Sequence, residues 1–334
     1  MRIMVFDVPA ESGGALSVLH EFYNELKLDQ ENEYVFVLSL PELEETSNIT
    51  VLRFPWIKKS WGHRLYFDHF IAPKLIKEYD IDQVLSLQNV TIPRTKVYQR
   101  VLVHNALPFS EYRFRLKEDK FLWIYQNIIG RKIMKAIKKA DYVIVQTNWM
   151  KEKIIERLNI DGNKIEIKSS KINIEIKEQF NETKDSLSTF FYPASGVIFK
   201  NHKVIVDACL KLKEEKINDY RVVFTLTGNE NPHIAELYKR AVANELPFEF
   251  SGYLETKKVF ELYRKSVLVF PSYVETVGLP LLEAKKMNSP IIVSNHLAAN
   301  EILNTYTKYT EFNPSSADEL YEIMRKFIEV SRIS

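Results

Sequence analysis

A chain of 334 residues is too long for one ordinary domain and suits two of roughly 100–200 residues each. Its hydrophobic fraction of 46% and charged fraction of 27% fit a soluble globular protein with buried cores. The formal net charge of +2 gives a nucleic-acid partner little footing, and one cysteine, Cys209, excludes an internal disulfide and a thiolate-based zinc site.

The first strand pattern, Arg2–Val8, begins directly after Met1, with no long apolar run or small-residue cleavage site, so no signal peptide is expected. Further strands are expected at Glu33–Leu40, Ile49–Phe54, Gln83–Leu87, Arg100–Asn105 and Tyr142–Gln146. Helical periodicity fills Ala15–Leu28, Arg64–Tyr79 and Phe121–Lys139 between them. Polar residues dominate Lys168–Leu187, which reads as a linker. Alternation resumes with strands at Thr189–Pro193, Arg221–Leu226, Phe248–Ser251, Val267–Phe270 and Pro290–Val293. The helices that go with them are His202–Glu215, Ile234–Asn244, Lys257–Lys265 and Leu279–Met287, and a last one covers Ser316–Val330. No apolar run approaches the ~20 residues that span a bilayer. The lone cysteine suits a reducing, cytoplasmic compartment.

Alternating strands and helices predict an α/β protein with two Rossmann-like, doubly wound domains facing across a cleft. Residues 1–170 and 186–316 form the two lobes, and residues 317–334 are expected to pack back on the first. Ligands of such sheets bind beyond the carboxyl ends of strands, so the strand-to-helix junctions are where chemistry is sought.

One junction runs from Pro271 to Ala284. Pro280 stands near the first position of a helix, where proline is favoured, and the backbone N–H groups around Val277, Gly278 and Leu279 are suited to a phosphate or a hydroxyl. Glu275 precedes the helix and Glu283 lies about one turn inside it. On composition alone the plainer reading prevails, Glu275 as a surface charge and Glu283 as a residue that caps or solvates the helix. The stretch resembles the Glu-x7-Glu signature of retaining family 4 glycosyltransferases of the GT-B fold, with Glu275, Gly278, Leu279, Pro280, Glu283 and Ala284 in register. Thr276 and Val277 stand where the family usually has Gly-Phe. The resemblance implies that Glu275 contacts the donor sugar and Glu283 the ribose hydroxyls, with Thr276, Val277, Gly278 and Leu279 completing the donor grip.

The same resemblance extends over nearly the whole chain. In Pro193-Ala194…Lys200-Asn201-His202 it makes Lys200 a cation on the donor diphosphate and Asn201 a donor-site neighbour, while Ser195 replaces the usual Arg. This form is similar to members linked to surface-polysaccharide assembly. His202 reads instead as a helix-start residue. At the N-terminal junction, Gly13-Gly14 follows a strand as in family members whose backbone approaches the donor there. Alone it is equally a plain turn, and it is neither a dinucleotide fingerprint nor a P-loop. His104, ending the strand before Asn105, matches a family histidine near the donor's anomeric centre. Gly228, after one strand, and Tyr253 and Leu254, after another, are expected near the donor as well. The pair Asp80 and Asp82 mimics a metal motif but reads as a solvated turn, and Asp141 reads as a strand-entry residue. No metal and no cofactor is expected beyond the nucleoside diphosphate sugar that serves as donor.

The acceptor is expected on the first lobe. Basic and aromatic residues intermingle over Phe109–Lys139 and Trp56–Trp61, a mixture suited to an anionic membrane surface or a lipid pyrophosphate carrier. An amphipathic core helix with a solvated basic face is the plainer alternative. The expected function is transfer of a hexosyl unit to a glycan or lipid-linked saccharide with retention, in capsule or exopolysaccharide biosynthesis, at the inner face of the membrane. The alternatives are a non-catalytic sugar-nucleotide-binding partner subunit, or an epimerase or phosphorylase on the same fold.

Overall fold

The structure is a computed structural model and describes residues 1–11, 13–169 and 178–333. The chain divides into two compact units, one reaching to Ser169 and one made from the residues after it.

The first unit runs β1 (Arg2–Asp7), α1 (Gly13–Leu26), β2 (Glu33–Leu38), β3 (Ile49–Arg53), α2 (Trp61–Tyr66), α3 (Ala72–Glu78), β4 (Gln83–Ser86) and β5 (Tyr98–Val103). It continues with α4 (Lys120–Ile124), α5 (Gly130–Lys139), β6 (Tyr142–Val145), α6 (Asn148–Leu158) and β7 (Ile165–Ile167). Its parallel sheet has the order β3-β2-β1-β4-β5-β6-β7. Because strand side chains alternate between faces, β1 feeds two cores. Ile3 and Val5 meet Leu19, Phe22 and Tyr23 of α1, while Met4 and Phe6 meet Phe67, Leu75 and Ile76.

The second unit runs α7 (Lys184–Leu187), β8 (Thr189–Tyr192), α8 (His202–Glu214), β9 (Arg221–Phe224), α9 (Pro232–Ala243), β10 (Phe248–Phe250) and α10 (Thr256–Tyr263). Then come β11 (Val267–Phe270), α11 (Leu279–Lys286), β12 (Ile291–Ser294), α12 (Leu297–Leu303), β13 (Tyr309–Phe312) and α13 (Ala317–Ile333). Its parallel sheet, β10-β9-β8-β11-β12-β13, has the doubly wound order. β8, β11 and β12 are buried at every position, as strands covered on both faces must be.

Two expectations need correction. Residues 317–334 were to pack back on the first unit. Among them the buried face of α13, Leu320, Tyr321, Met324 and Ile328, joins the second unit's core, and Arg332 forms a bidentate pair with Asp219. An amphipathic helix goes where its apolar stripe is matched, and the matching surface is its own sheet's α8. The expected linker also carries structure: α7 is one turn held by a reciprocal cap between Thr183 and Ser186, with Leu187 buried. A single capped turn has no periodicity to reveal it. Residues 170–177 of that linker lie outside the described residues.

The expected helix 64–79 is broken by a π-helical turn, Phe67–Ile71, in which Ala72 N–H donates to Phe67 O. Pro73 follows at once, and the wider turn accommodates a residue that has no N–H and crowds the preceding carbonyls. A second π turn, Tyr125–Ile129, separates α4 from α5 and ends at Gly130, where a Cβ would lie 3.2 Å from Pro108.

Candidate functional site

In each sheet the strand order reverses beside the first strand of its unit, between β1 and β4 and between β8 and β11. Loops leaving adjacent strands at such a point diverge to opposite faces and open a crevice at the carboxyl edge. The sequence-expected residues fall largely on these loops.

In the second unit the two loops are stitched together. Phe199 O, in the loop after β8, accepts from Tyr273 N at 2.9 Å and from Ser272 Oγ at 3.2 Å, both after β11. Asn201, left-handed at φ 57°, begins α8 and gives its amide hydrogens to Pro271 O and Pro314 O at 3.1 and 2.8 Å. Its amide nitrogen thus ties the loop after β8 to those after β11 and β13. Tyr192 Oη donates to Lys200 O at 2.9 Å, fixing the backbone from which the lysine projects.

On this frame Lys200 Nζ meets Glu275 Oε1 at 2.6 Å, with side chains only 19% and 9% exposed. Two sequence-expected residues 75 positions apart thus form one ion pair. Shielded from water, each charge depends on the other, and removing either strands its partner.

Gly278 caps α11 at φ 75°, and a Cβ there would lie 3.2 Å from Phe270 and Leu281. Pro280 stands in the first turn as the sequence suggested. Val277 is buried, so the segment can offer a ligand its backbone rather than that side chain, while Thr276 and Leu279 are part-exposed. Glu283 Oε2 accepts from the buried Tyr263 Oη at 2.8 Å. Burial pushes the Glu283 carboxyl up, and the Tyr263 hydrogen bond partly offsets this. Gly228, φ 93°, ends the segment after β9, and a Cβ there would strike the Tyr238 ring at 2.4 Å, so packing alone requires the glycine. Tyr253 is 89% exposed and Leu254 half-buried beyond β10, two strands from the reversal point. His202 is wholly buried between Tyr192 and Phe224, and burial pushes its imidazole down to about 3. It is the first residue of α8, in line with the expectation of a helix-start residue, and its ring packs into the core.

In the first unit Gly13, φ 58°, and Gly14 open α1, and a Cβ on either would meet nothing within 4 Å among the described residues. Their backbone is therefore approachable. His104 follows β5. Asn89 Oδ1 accepts from His104 N and Asn105 N at 2.8 and 3.0 Å, and Asn89 Nδ2 faces His104 Nε2 at 3.2 Å. With Nε2 as acceptor, the neutral ring carries its proton on Nδ1. Burial pushes this imidazole down to about 4, so it is neutral at physiological pH. Asp80 and Asp82 are exposed between α3 and β4, with Asp82 accepting from Arg2 N, and Asp141 accepts from Gln99 N at the entry to β6.

Several contributors escaped the sequence reading. Asn89 orients His104, Tyr263 holds Glu283, and Asp7 ends β1 with a buried carboxyl. The only signal for Asp7 was an acid closing an apolar strand ahead of Gly13-Gly14. His296, two residues beyond β12, was missed because α12 was not expected there.

The family described as "Glycosyl transferases group 1" matches residues 173–332. The O-antigen chain mannosyltransferase RfbU of Salmonella typhimurium is 23% identical over 247 residues, 73% of this chain and 65% of that protein, so the match spans less than two thirds of it. Among solved structures, sucrose-phosphate synthase from Thermosynechococcus elongatus superposes with a TM-score of 0.75 at 13% identity, covering 99% of this chain and 90% of that one. Anabaena HepE, solved in complex with UDP-glucose, gives 0.69 at 13%, covering 99% and 91%. At these identities the two structures establish a shared fold, the GT-B arrangement of two parallel-sheet α/β domains.

Proposed function

We propose that this chain, whose residues 173–332 are a glycosyl transferases group 1 domain, moves a hexosyl unit from a nucleoside diphosphate sugar to a saccharide or lipid-linked saccharide acceptor, with retention at the anomeric carbon. The observation that carries the reading is the Lys200–Glu275 pair, set at the strand reversal of the second sheet beside the N-terminus of α11. RfbU, named for O-antigen chain synthesis, supports a role in surface-polysaccharide assembly, capsule or O-antigen. HepE with bound UDP-glucose supports a nucleotide-sugar donor.

In this reading Lys200 neutralises the departing diphosphate, and the first-turn N–H groups of α11 add backbone donors at the same end of the ligand. Glu275 accepts hydrogen bonds from sugar hydroxyls and Glu283 from the ribose. The bond between anomeric carbon and diphosphate oxygen breaks as the bond to the acceptor oxygen forms. The acceptor's proton passes to the leaving diphosphate, so no protein nucleophile is used. Within the first unit, the neutral His104 is a hydrogen-bonding group and the Gly13-Gly14 backbone is approachable, and each is a candidate ligand contact of that unit.

A thermal-shift panel of GDP-mannose, UDP-glucose and UDP-galactose identifies the donor as the one that selectively raises Tm. With that donor, Glu275→Gln is expected to lower transfer at least ~100-fold. Undiminished transfer by Glu275→Gln overturns the assignment. The exposed Ser195, in place of the family's Arg, favours one second reading, a donor-binding partner of a separate transferase. In that case the chain binds the donor but transfers nothing alone.

We place the acceptor side on the first unit and assign it peripheral contact with anionic lipid. Trp61, Tyr66 and Phe70 are exposed on one helical run, next to the exposed Lys58 and Lys59, with Arg94 over the Phe70 ring. Phe121 and Ile128 are exposed near the exposed Lys120, Arg131 and Lys132. Among the described residues no helix is long and apolar enough to cross a membrane.

A further inference from the structure

His296 stands at the junction between β12 and α12, beside the loop that carries Glu275. β12 pairs with β11, and Ser294 Oγ donates to Ser272 O at 2.6 Å, tying the two strand ends together. The imidazole lies 6.2 Å from the Phe270 ring. Its Nδ1 accepts from Ala299 N at 3.2 Å, the contact by which it caps α12. That contact fixes the tautomer: with the Nδ1 lone pair engaged, the neutral ring carries its proton on Nε2. Nε2 is buried and has no hydrogen-bond partner among the described residues. Both Glu275 and Lys200 act on the ring electrostatically, and burial, the largest influence, holds the imidazole down to about 4. At neutral pH the group is therefore an uncharged N–H donor beside the ion pair, not a third charge.

A buried N–H without an acceptor is costly, and the cost disappears when an acceptor oxygen arrives. Glu275, which acts on the ring electrostatically, already has its Oε1 engaged by Lys200. The ligand read for this site brings oxygens in number on its phosphates and its sugar. We propose that His296 is a donor-site residue, giving its Nε2–H to an oxygen at the sugar–diphosphate end of the nucleotide sugar. This rests on the transferase reading and adds to it a contact that the Glu-x7-Glu pattern does not contain.

The two ring nitrogens can be separated by substitution. Asparagine is a good helix cap, so His296→Asn keeps an acceptor for Ala299 N–H but has no group at the Nε2 position. His296→Ala loses both. Kd values for GDP-mannose, UDP-glucose, GDP and UDP are measured by calorimetry at 25 °C on the folded proteins, with melting followed in parallel. His296→Asn is expected to melt with the wild type and to bind the preferred donor about tenfold more weakly, the effect of one lost hydrogen bond. His296→Ala should show the same loss of affinity and a lower Tm. An equal loss for nucleoside diphosphate and nucleotide sugar assigns the contact to a phosphate oxygen, and a loss confined to the nucleotide sugar assigns it to a sugar hydroxyl. Wild-type affinity in His296→Asn, while Lys200→Ala loses donor binding, overturns the role of His296 and leaves the transferase reading standing. Wild-type protein that binds no member of the panel overturns both.

Discussion

Asp7 ends β1 with its carboxyl buried and its Oδ2 lacking a hydrogen-bond partner among the described residues. Burial pushes it from an ordinary 3.8 up to about 7. Between those values the folded protein keeps a proton that the unfolded chain has released. The stabilisation is complete below 3.8 and is lost as pH rises through 7. Asp7→Asn, neutral throughout, should therefore match the wild type near pH 4 and gain on it with rising pH, by on the order of 2 kcal/mol at pH 8. Urea unfolding at the two pH values checks this, and a gain that shrinks with pH contradicts it. His104, His202 and His296 have the opposite sign: lowered from 6.5 to about 4, 3 and 4, they stabilise above 6.5 and lose that contribution as pH falls. At this scale the sequence was partly legible. Glu275 and Lys200 lie in stretches whose spacing matches a known pattern, and they do meet. Tyr263, Asn89 and His296 act through contacts made by folding, and a lone Tyr, Asn or His in sequence carries no mark of the neighbour it will have.

The junction before α11 depends on a backbone shape that only one residue adopts cheaply. At Gly278 φ is 75°, and a Cβ would lie 3.2 Å from Phe270 and Leu281. Gly278→Ala is expected to lower the unfolding free energy by about 1–2 kcal/mol and to weaken donor binding by displacing the adjoining backbone. Gly14→Ala, where a Cβ meets nothing, should stay within about 0.5 kcal/mol of wild type, and equal melting of all three proteins would sink the argument. Element recognition followed apolar content. β8, β11 and β12, wholly buried, stand out as apolar runs. β13, with Tyr309, Thr310 and Glu311 part- or fully exposed at the sheet edge, does not. α6 buries Trp149, Met150, Ile154 and Leu158, but the charged residues between them dilute the stripe. The π turn at Phe67–Ile71 was invisible for another reason: one extra residue in a turn leaves the apolar pattern nearly unchanged.

At the scale of the whole molecule, alternation of strand and helix was enough to give two doubly wound sheets, because parallel strands need helical crossovers. It could not say which unit the last helix joins, since an apolar stripe names no partner. The exposed aromatics of the first unit, Trp61, Tyr66, Phe70 and Phe121, lie among cations, and lipid contact should depend on both. Flotation with phosphatidylglycerol-containing liposomes is expected to recover the protein at low salt. Recovery should fall with neutral liposomes, at high salt, or in a Trp61→Ser/Phe70→Ser variant, and equal recovery with both lipid compositions would exclude the contact. If the chain acts as proposed, selecting one ligand from a pool of sugars, it must also refuse most of what it meets. Because Lys200 already has an anion at hand, a newcomer gains only the difference between two partners. An uncharged monosaccharide would leave that latch closed. Under the proposed function, a diphosphate would draw the lysine away and release the carboxylate to the hydroxyls that follow, so that charge would be read before sugar.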